Sequence, residues 1–374
     1  MKKLFQSIII FGLGTNSFAQ PTNYQGGNVQ LAILFDTSNS MDGLIEQAKS
    51  RIWGIIKTMS GLKYNGQMPR IEIALYDYGN SNIPVANDYV RQILPLTTDL
   101  DLISQKLFAL TTNGGNEYCG AVISHSLSEL TWSSYSNDLK LIYIAGNEPF
   151  NQGKIDYKEV MKIANQKNIQ VNTIYCGDYQ QGITEFWYDG AQLGKGEYSN
   201  INSNLVAKHY DTPYDQQIRA YNDSLNRTYY GYGAMGVMKK EAQSMEDRNA
   251  ASQSPSAITE RAVVKSKGSV YNNVSWDIVD ASMQDSTKIL RLKDEDLPNE
   301  LKGKNKEEKL KFIEEKKAER EQYQKIIGEL SVQRDNFISE LKKSETNTES
   351  DLGDEITKNV LKMAEEKGFE VEKK

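Results

Sequence analysis

Leu31–Met41 reads LAILFDTSNSM, an apolar run that stops at Asp36-Thr37-Ser38-Asn39-Ser40. Five consecutive apolar residues bounded by a polar turn predict a short strand buried on both faces. A helical pattern follows from Leu44 to Met59, with Leu44, Ile45, Ala48, Ile52, Ile55 and Ile56 at helical spacing. The loop between them carries a carboxylate and two hydroxyls, Asp36, Ser38 and Ser40, at alternate positions. These are hard oxygen donors of the kind that hold a divalent cation. The same residue types also build Asx and ST turns that cap a helix starting near Asp42, and spacing alone leaves both readings open.

Outward from this stretch the pattern repeats. Ile71–Tyr76, Leu139–Ala145 and Ile169–Cys176 read as further buried strands, and Tyr89–Leu96, with its proline, as an edge strand. Amphipathic stretches at Leu100–Leu110, Ala121–Leu130 and Tyr157–Gln166 alternate with them, and Ala191–Ile201 closes the series with a glycine turn and a short strand. Continuous apolar strands separated by helices imply an α/β fold, a doubly wound, mostly parallel sheet covered on both faces. Ligands of such sheets collect at the carboxyl ends of the strands. Asp36, Asp77, Asn147 and Cys176 all fall just beyond strand ends and are expected on one rim.

The D-x-S-x-S spacing after a strand resembles the metal-ion-dependent adhesion site of von Willebrand factor type A domains. IALYDYG, LPLTTDLDLISQKLFALTTNGGNEYCGAV and LIYIAGNEPF occur in the order such domains show, and AQLGKGEYSNI looks like their last strand. The resemblance covers residues 28–205. It implies a Rossmann-like domain in which Asp36, Ser38 and Ser40 hold Mg²⁺ or Ca²⁺ and a carboxylate of a protein partner completes the shell. At the second-loop position, Gly114-Gly115-Asn116-Glu117 places Asn116, with Glu117 acting through water or on the following helix N-terminus. The third loop, Ala145-Gly146-Asn147-Glu148, has Gly146 where the family carries an acid, which leaves Asn147 or Glu148 to act from a neighbouring position. Fewer carboxylates mean weaker cation binding. Two readings follow: an exported module for cation-assisted protein binding, and a structural cell-envelope scaffold whose degenerate site is metal-free.

Lys2 and Lys3, the apolar Leu4–Leu13 and Ser17-Phe18-Ala19 predict a cleaved signal peptide over residues 1–19, hence a periplasmic or secreted protein. No later stretch is long and apolar enough for a membrane span. Loss of the two lysines takes the net charge from −6 to −8, which argues against nucleic acid or an anionic membrane as partner. Export and an even cysteine count favour a Cys119–Cys176 disulfide; two separate buried thiols and a reactive thiol at a helix N-terminus are the alternatives. The only histidines, His125 and His209, form no His/Cys cluster with the cysteines, which argues against a structural zinc site. Cys119 and His125 lie six residues apart, on different faces of one helix, and no nucleophile has an orienting group, so an enzyme is not expected.

Beyond residue 205 the alternation stops. Residues 206–290 read as helices at Pro213–Asn226, Met235–Ala251, Ala257–Lys267 and Tyr271–Ser282, and 291–374 as a charged long-helix region. Within Glu307–Lys343, Tyr323, Ile327, Leu330, Phe337 and Leu341 follow a 4–3 alternation interrupted by Arg334. Such a stripe suits a coiled coil and homo-oligomerisation through the C-terminal helix, or equally a hairpin folding back on Glu355–Glu366.

Overall fold

The structure, a computed structural model, describes residues 27–344 and 349–371; the leader expected over 1–19 lies outside them. The described strands are β1 (Val29–Asp36), β2 (Leu62–Lys63), β3 (Ile71–Tyr78), β4 (Val90–Thr97), β5 (Leu139–Gly146), β6 (Gln170–Cys176), β7 (Lys195–Ile201) and β8 (Glu370–Val371). Six of them form one sheet in the order β4-β3-β1-β5-β6-β7, parallel except for the edge strand β4, which runs antiparallel to β3. The chain winds outward from β1 to β3 and β4, then returns to β5 and winds the other way. The strand order therefore reverses between β1 and β5, where open α/β sheets place their ligands.

All eight residues of β1 and of β5 are buried, which is why both read as mainly apolar runs; the buried Gln30 and Lys140 are hydrogen-bonded. Side chains alternate between two cores. Leu31, Ile33 and Phe35 meet α1 (Asp42–Met59) and α2 (Leu100–Phe108) on one face. Ala32 and Leu34 meet α3 (Cys119–Glu129) and α4 (Tyr157–Gln166) on the other; there α5 (Tyr179–Thr184) leads from β6 into α6 (Trp187–Leu193), whose Trp187 is fully buried.

The helices beyond 205 join this body. They are α7 (Asp215–Asn226), α8 (Gly236–Gln253), α9 (Pro255–Lys265), α10 (Ile278–Gln284), α11 (Lys288–Arg291), α12 (Lys306–Lys343) and α13 (Leu352–Glu366). Ile218, Leu225, Val263 and Ile327 belong to the same continuous core as α1. A buried ion cluster fastens the junction: Arg261 of α9 donates to Asp101 of α2 at 2.6 Å and to Asp247 of α8 at 2.5 Å, with its guanidinium 4.5 Å from the Trp53 ring. Helix α13 packs on α1 beside the sheet, and β8 pairs with β2. Residues 206–344 are thus inserted between β7 and a helix of the α/β body. Gln47 of α1 ties both ends of the insertion: its amide donates to the carbonyls of Asn202 and Leu205 and accepts from the Leu352 N–H. The boundaries read at 205 and 290 mark changes of sequence pattern, and the packing runs across both.

Two expectations are refined here. The first part of the stripe on α12 is covered by the same chain, while Phe337 and Leu341 toward its end stay exposed. Ile327 and Leu330 are buried; Tyr323 meets Tyr221, Phe337 meets Tyr214, and Arg334 donates to Asp215 Oδ1 at 2.7 Å and to Ser256 Oγ at 2.6 Å. The residue that interrupts the stripe is therefore a buried ion-pair partner of α7, and packing within the chain takes up the stripe around it. The helix expected over Tyr271–Ser282 begins only at Ile278, because Asp277 caps it by accepting from the Asp280 N–H. Among the described residues no helix is long and apolar enough to cross a membrane.

Candidate functional site

Asp36 ends β1 at the switch point, opposite Tyr78 of β3, and is fully buried. Its Oδ1 accepts from the Ser38 N–H at 2.7 Å, the Asx turn that the sequence allowed. The turn does no helix capping: α1 starts after Met41 with no side-chain cap, and Ser38 makes none at the 3₁₀ turn. Instead the Ser38 and Ser40 hydroxyls face each other at 3.2 Å, and the Asn147 amide donates to Ser40 Oγ at 3.3 Å. Hydrogen bonds hold the neighbouring loop in place: Asn113 N–H donates to the Thr37 carbonyl, and the Asn80 amide to that of Thr111.

Glu117, given a secondary part by the sequence reading, is the second carboxylate of the site. It is 6% exposed, whereas Asn116 is exposed. The close approach depends on Gly79, at φ +76°: a Cβ there would lie 2.7 Å from Glu117 Cγ and 3.0 Å from Asp36 Oδ1. Asp36 Oδ2, Glu117 Oε2 and Asn147 Oδ1 are all buried with no hydrogen-bond donor. Burial raises the Asp36 carboxyl; burial and then the Asp36 carboxyl beside it push Glu117 up to about 10. Two acceptors facing each other at neutral pH hold together by sharing a proton or a cation. Glu148, exposed on the next loop, adds negative potential to both.

Gly146 explains the missing third-loop acid. A Cβ at this position would stand 2.5 Å from the Tyr78 hydroxyl and 3.2 Å from Asp36 Cβ. Tyr78 fills that space and donates to the Ala145 carbonyl at 3.1 Å. No carboxylate fits there, and the second acid comes from Glu117 instead. Asp77, though on the same rim, is engaged by Arg91 through bonds of 3.1 and 2.6 Å.

The expected Cys119–Cys176 disulfide is not formed; both are free, buried thiols. Cys119 lies in the core under α3 and Cys176 in the core on the opposite face, so the sheet stands between them. Burial pushes both thiols up, and Cys119 Sγ contacts the Tyr78 hydroxyl at 3.8 Å. His125 is bound to Glu129 at 2.6 Å and takes no part with Cys119.

Among the described residues no three His, Cys, Asp or Glu side chains gather as a metal-ligand cluster. The donor set here is mixed: the carboxyls of Asp36 and Glu117, the hydroxyls of Ser38 and Ser40, and the Asn147 amide oxygen. With three orphaned acceptor oxygens among them, these donors fit a hard divalent cation.

The strand order, the switch-point loop and the Asp36-x-Ser38-x-Ser40 spacing define a fold of the von Willebrand factor type A kind. No family model matches the chain, and no curated protein matches it. Solved structures similar to it include proximal thread matrix protein 1 from the mussel byssus with a zinc-occupied MIDAS motif, at 12% identity over 47% of this chain and 42% of that one (TM-score 0.37). The SpRpn10 VWA domain is similar at 15% identity over 46% and 87% (TM-score 0.35). An aerotolerance-related membrane protein from Bacteroides fragilis NCTC 9343, solved with multiple mutations to serines, is similar at 17% identity over 48% and 94% (TM-score 0.32). The chain spans less than half the length of the mussel protein.

Proposed function

We propose that this is an exported protein-binding module whose rim site uses a divalent cation, Mg²⁺ or Ca²⁺, to engage a protein partner. The observation that carries the reading is the convergence of Asp36 Oδ2, Glu117 Oε2 and Asn147 Oδ1, three buried acceptors without a donor, beside two hydroxyls at the switch point of the sheet. A buried acceptor left without a partner costs about 1–3 kcal/mol, so the arrangement favours a positive group among them. Asp36, Ser38, Ser40 and Glu117 would hold the ion, with Asn147 on the third loop; exposed Asn116 would face the partner instead. The ion would supply an open coordination position for a partner carboxylate. The leader residues Lys2 to Ala19 support export.

The metal-free scaffold reading is favoured by one observation: a shared proton satisfies the Asp36–Glu117 pair without an ion. One experiment separates the two. Mg²⁺, Mn²⁺ and Ca²⁺ are titrated into the wild type and Asp36→Ala while thermal unfolding is followed. A rise in Tm in the wild type alone supports the cation site by linkage; no rise in either sinks it. Chelator-sensitive capture of a partner from envelope extract then tests the binding half of the reading.

A further inference from the structure

Away from the rim, the insertion brings an amine, an amide and a carboxylate together. Asn226 and Lys265 are the last residues of α7 and α9, and Asp247 lies on α8 between them in the chain. The Lys265 ammonium donates to Asn226 Oδ1 and, at 3.0 Å each, to both oxygens of Asp247. The Asn226 amide nitrogen donates to Asp247 Oδ2 at 2.7 Å, which fixes the end of the amide that faces the lysine. The carboxylate thus bridges the amine and the amide nitrogen, while the amine stands beside the amide carbonyl. These are the parts of an acyl-transfer site: a nucleophile, an electrophile with its leaving group, and a group that moves a proton between them.

The surroundings favour the neutral amine that such a transfer needs. The Lys265 side chain is 0% exposed. Arg261, one turn earlier on α9, donates to Asp247 and to Asp101 of α2, and Lys240 of α8 donates to the Asn226 main-chain carbonyl. Three cations therefore share two carboxylates, and loss of one proton relieves their repulsion. Burial lowers Lys265 to about 8. Burial opposes ionisation of Asp247 too, but Lys265 and then Arg261 hold it below the ordinary carboxylate range, so it is ready to accept a proton. A desolvated lysine is a competent nucleophile, and a dry site keeps water from competing with it. Hydrogen-bond distances among all three groups supply the proximity.

We propose that Lys265 and Asn226 join in an intramolecular amide bond, with Asp247 as the proton carrier. The neutral amine attacks Asn226 Cγ. Asp247 takes a proton from the attacking nitrogen and delivers it to the amide nitrogen, the old Cγ–N bond breaks, and ammonia leaves. One C–N bond forms and one breaks, with no change of oxidation state. The proton that the lysine gave up at the start departs with the ammonia as ammonium. The product ties the ends of α7 and α9 covalently across α8, in the part of the insertion that Arg261 fastens to α2. With both cysteines free, this is a covalent brace that the thiols do not supply. The structure is that of the unlinked chain; in the linked one Lys265 no longer titrates, which separates the two states in any pH series.

The test incubates the folded full chain at pH 6 and at pH 9, then denatures it, digests it with trypsin and sequences the peptides by mass spectrometry. The expected product is a branched peptide joining residues 220–227 to 262–267, lighter than the two together by one ammonia and uncut after Lys265 because that amine is acylated. It should accumulate roughly tenfold or more faster at pH 9, where the amine is largely neutral. Asp247→Asn, which keeps the shape and removes the proton carrier, should slow it by a similar factor. Full recovery of both peptides unlinked from the wild type at pH 9 overturns the proposal, and this result stands whether or not the variant folds. Equal rates at the two pH values, an equal rate in chain held unfolded in urea, or an unchanged rate in folded Asp247→Asn would each overturn it as well. None of these readouts involves a cation, so failure here leaves the reading of the rim site untouched.

Discussion

Replacing Glu117 with glutamine probes the carboxyl pair directly. If Glu117 is protonated beside Asp36 in the metal-free protein, glutamine reproduces its shape and its single donor toward Asp36. The metal-free Tm should then stay within about 1 °C of wild type, because the hydrogen bond is preserved rather than lost. The response to cation should change. At a concentration one hundred times Kd, an ion bound only to the folded state stabilises by about 2.7 kcal/mol. With roughly 0.7 kcal/mol/K of unfolding entropy for a chain this size, that is about 4 °C. Loss of one of two carboxylate donors is expected to weaken binding tenfold or more, which leaves about 1.4 kcal/mol, or about 2 °C, at the same concentration. Differential scanning calorimetry of wild type and Glu117→Gln, with and without 10 mM Mg²⁺ or Ca²⁺, measures both quantities. A full-sized cation shift in the variant would remove Glu117 from the ligand set. A metal-free Tm lowered by more than about 3 °C would refute the shared-proton geometry.

Three further outcomes follow from the packing. Gly146→Ala should destabilise by about 1–3 kcal/mol through the clash with the Tyr78 hydroxyl, and Tyr78→Phe should recover part of that loss in a double-mutant cycle; additive effects would refute the steric account. Arg261→Met removes the buried cation shared by Asp101 and Asp247, leaving Asp101 only the Tyr271 hydroxyl and Asp247 only Lys265 and two asparagine amides, and should cost about 3–5 kcal/mol in urea unfolding. Two separate transitions in that variant, with the wild type showing one, would identify the ion cluster as the lock between insertion and sheet. Burial lowers Lys265 and Lys240 to about 8, whereas the unfolded chain keeps these protons to about pH 10.4. The unfolded state binds more protons between those values, so this penalty is full below pH 8 and eases as pH rises through the window. Lys265→Met should flatten the rise of stability between pH 8 and 10, measured by urea midpoint; an unchanged slope would count against it.

The sheet was legible in the sequence because a strand buried on both faces must be largely apolar, and LAILF, LKLIYIA and IQVNTIYC meet that demand locally, with the buried Lys140, Asn172 and Thr173 satisfied by hydrogen bonds. The position of the site was legible for a related reason: polar residues just past buried strands land on one rim whatever the helices do. Asp36, Ser38 and Ser40 were placed on that rim in this way. Which neighbours complete the set was decided in three dimensions. Asn116 and Glu117 are adjacent in sequence, and only the backbone approach that Gly79 permits turns the glutamate inward and leaves the asparagine in solvent. The loss of the third-loop acid is visible in the sequence as Gly146, but its cause, the Tyr78 hydroxyl from another strand, is not.

The helical half divides the same way. Periodicity located α7, α8, α9 and α12 to within a few residues, since each buries one face. It could not say against what, because an apolar stripe is equally satisfied by a second chain or by its own. Arg334, which looked like an interruption, has its meaning only through Asp215, 119 positions away, and Gln47 through the carbonyls and amide of two distant segments. Local patterns determined where this chain is α/β, where it is helical and where its rim loop lies. Long-range packing decided which carboxylate joins Asp36, that the thiols stand on opposite faces of the sheet, and that the insertion shares the core, since these depend on distances no local spacing encodes.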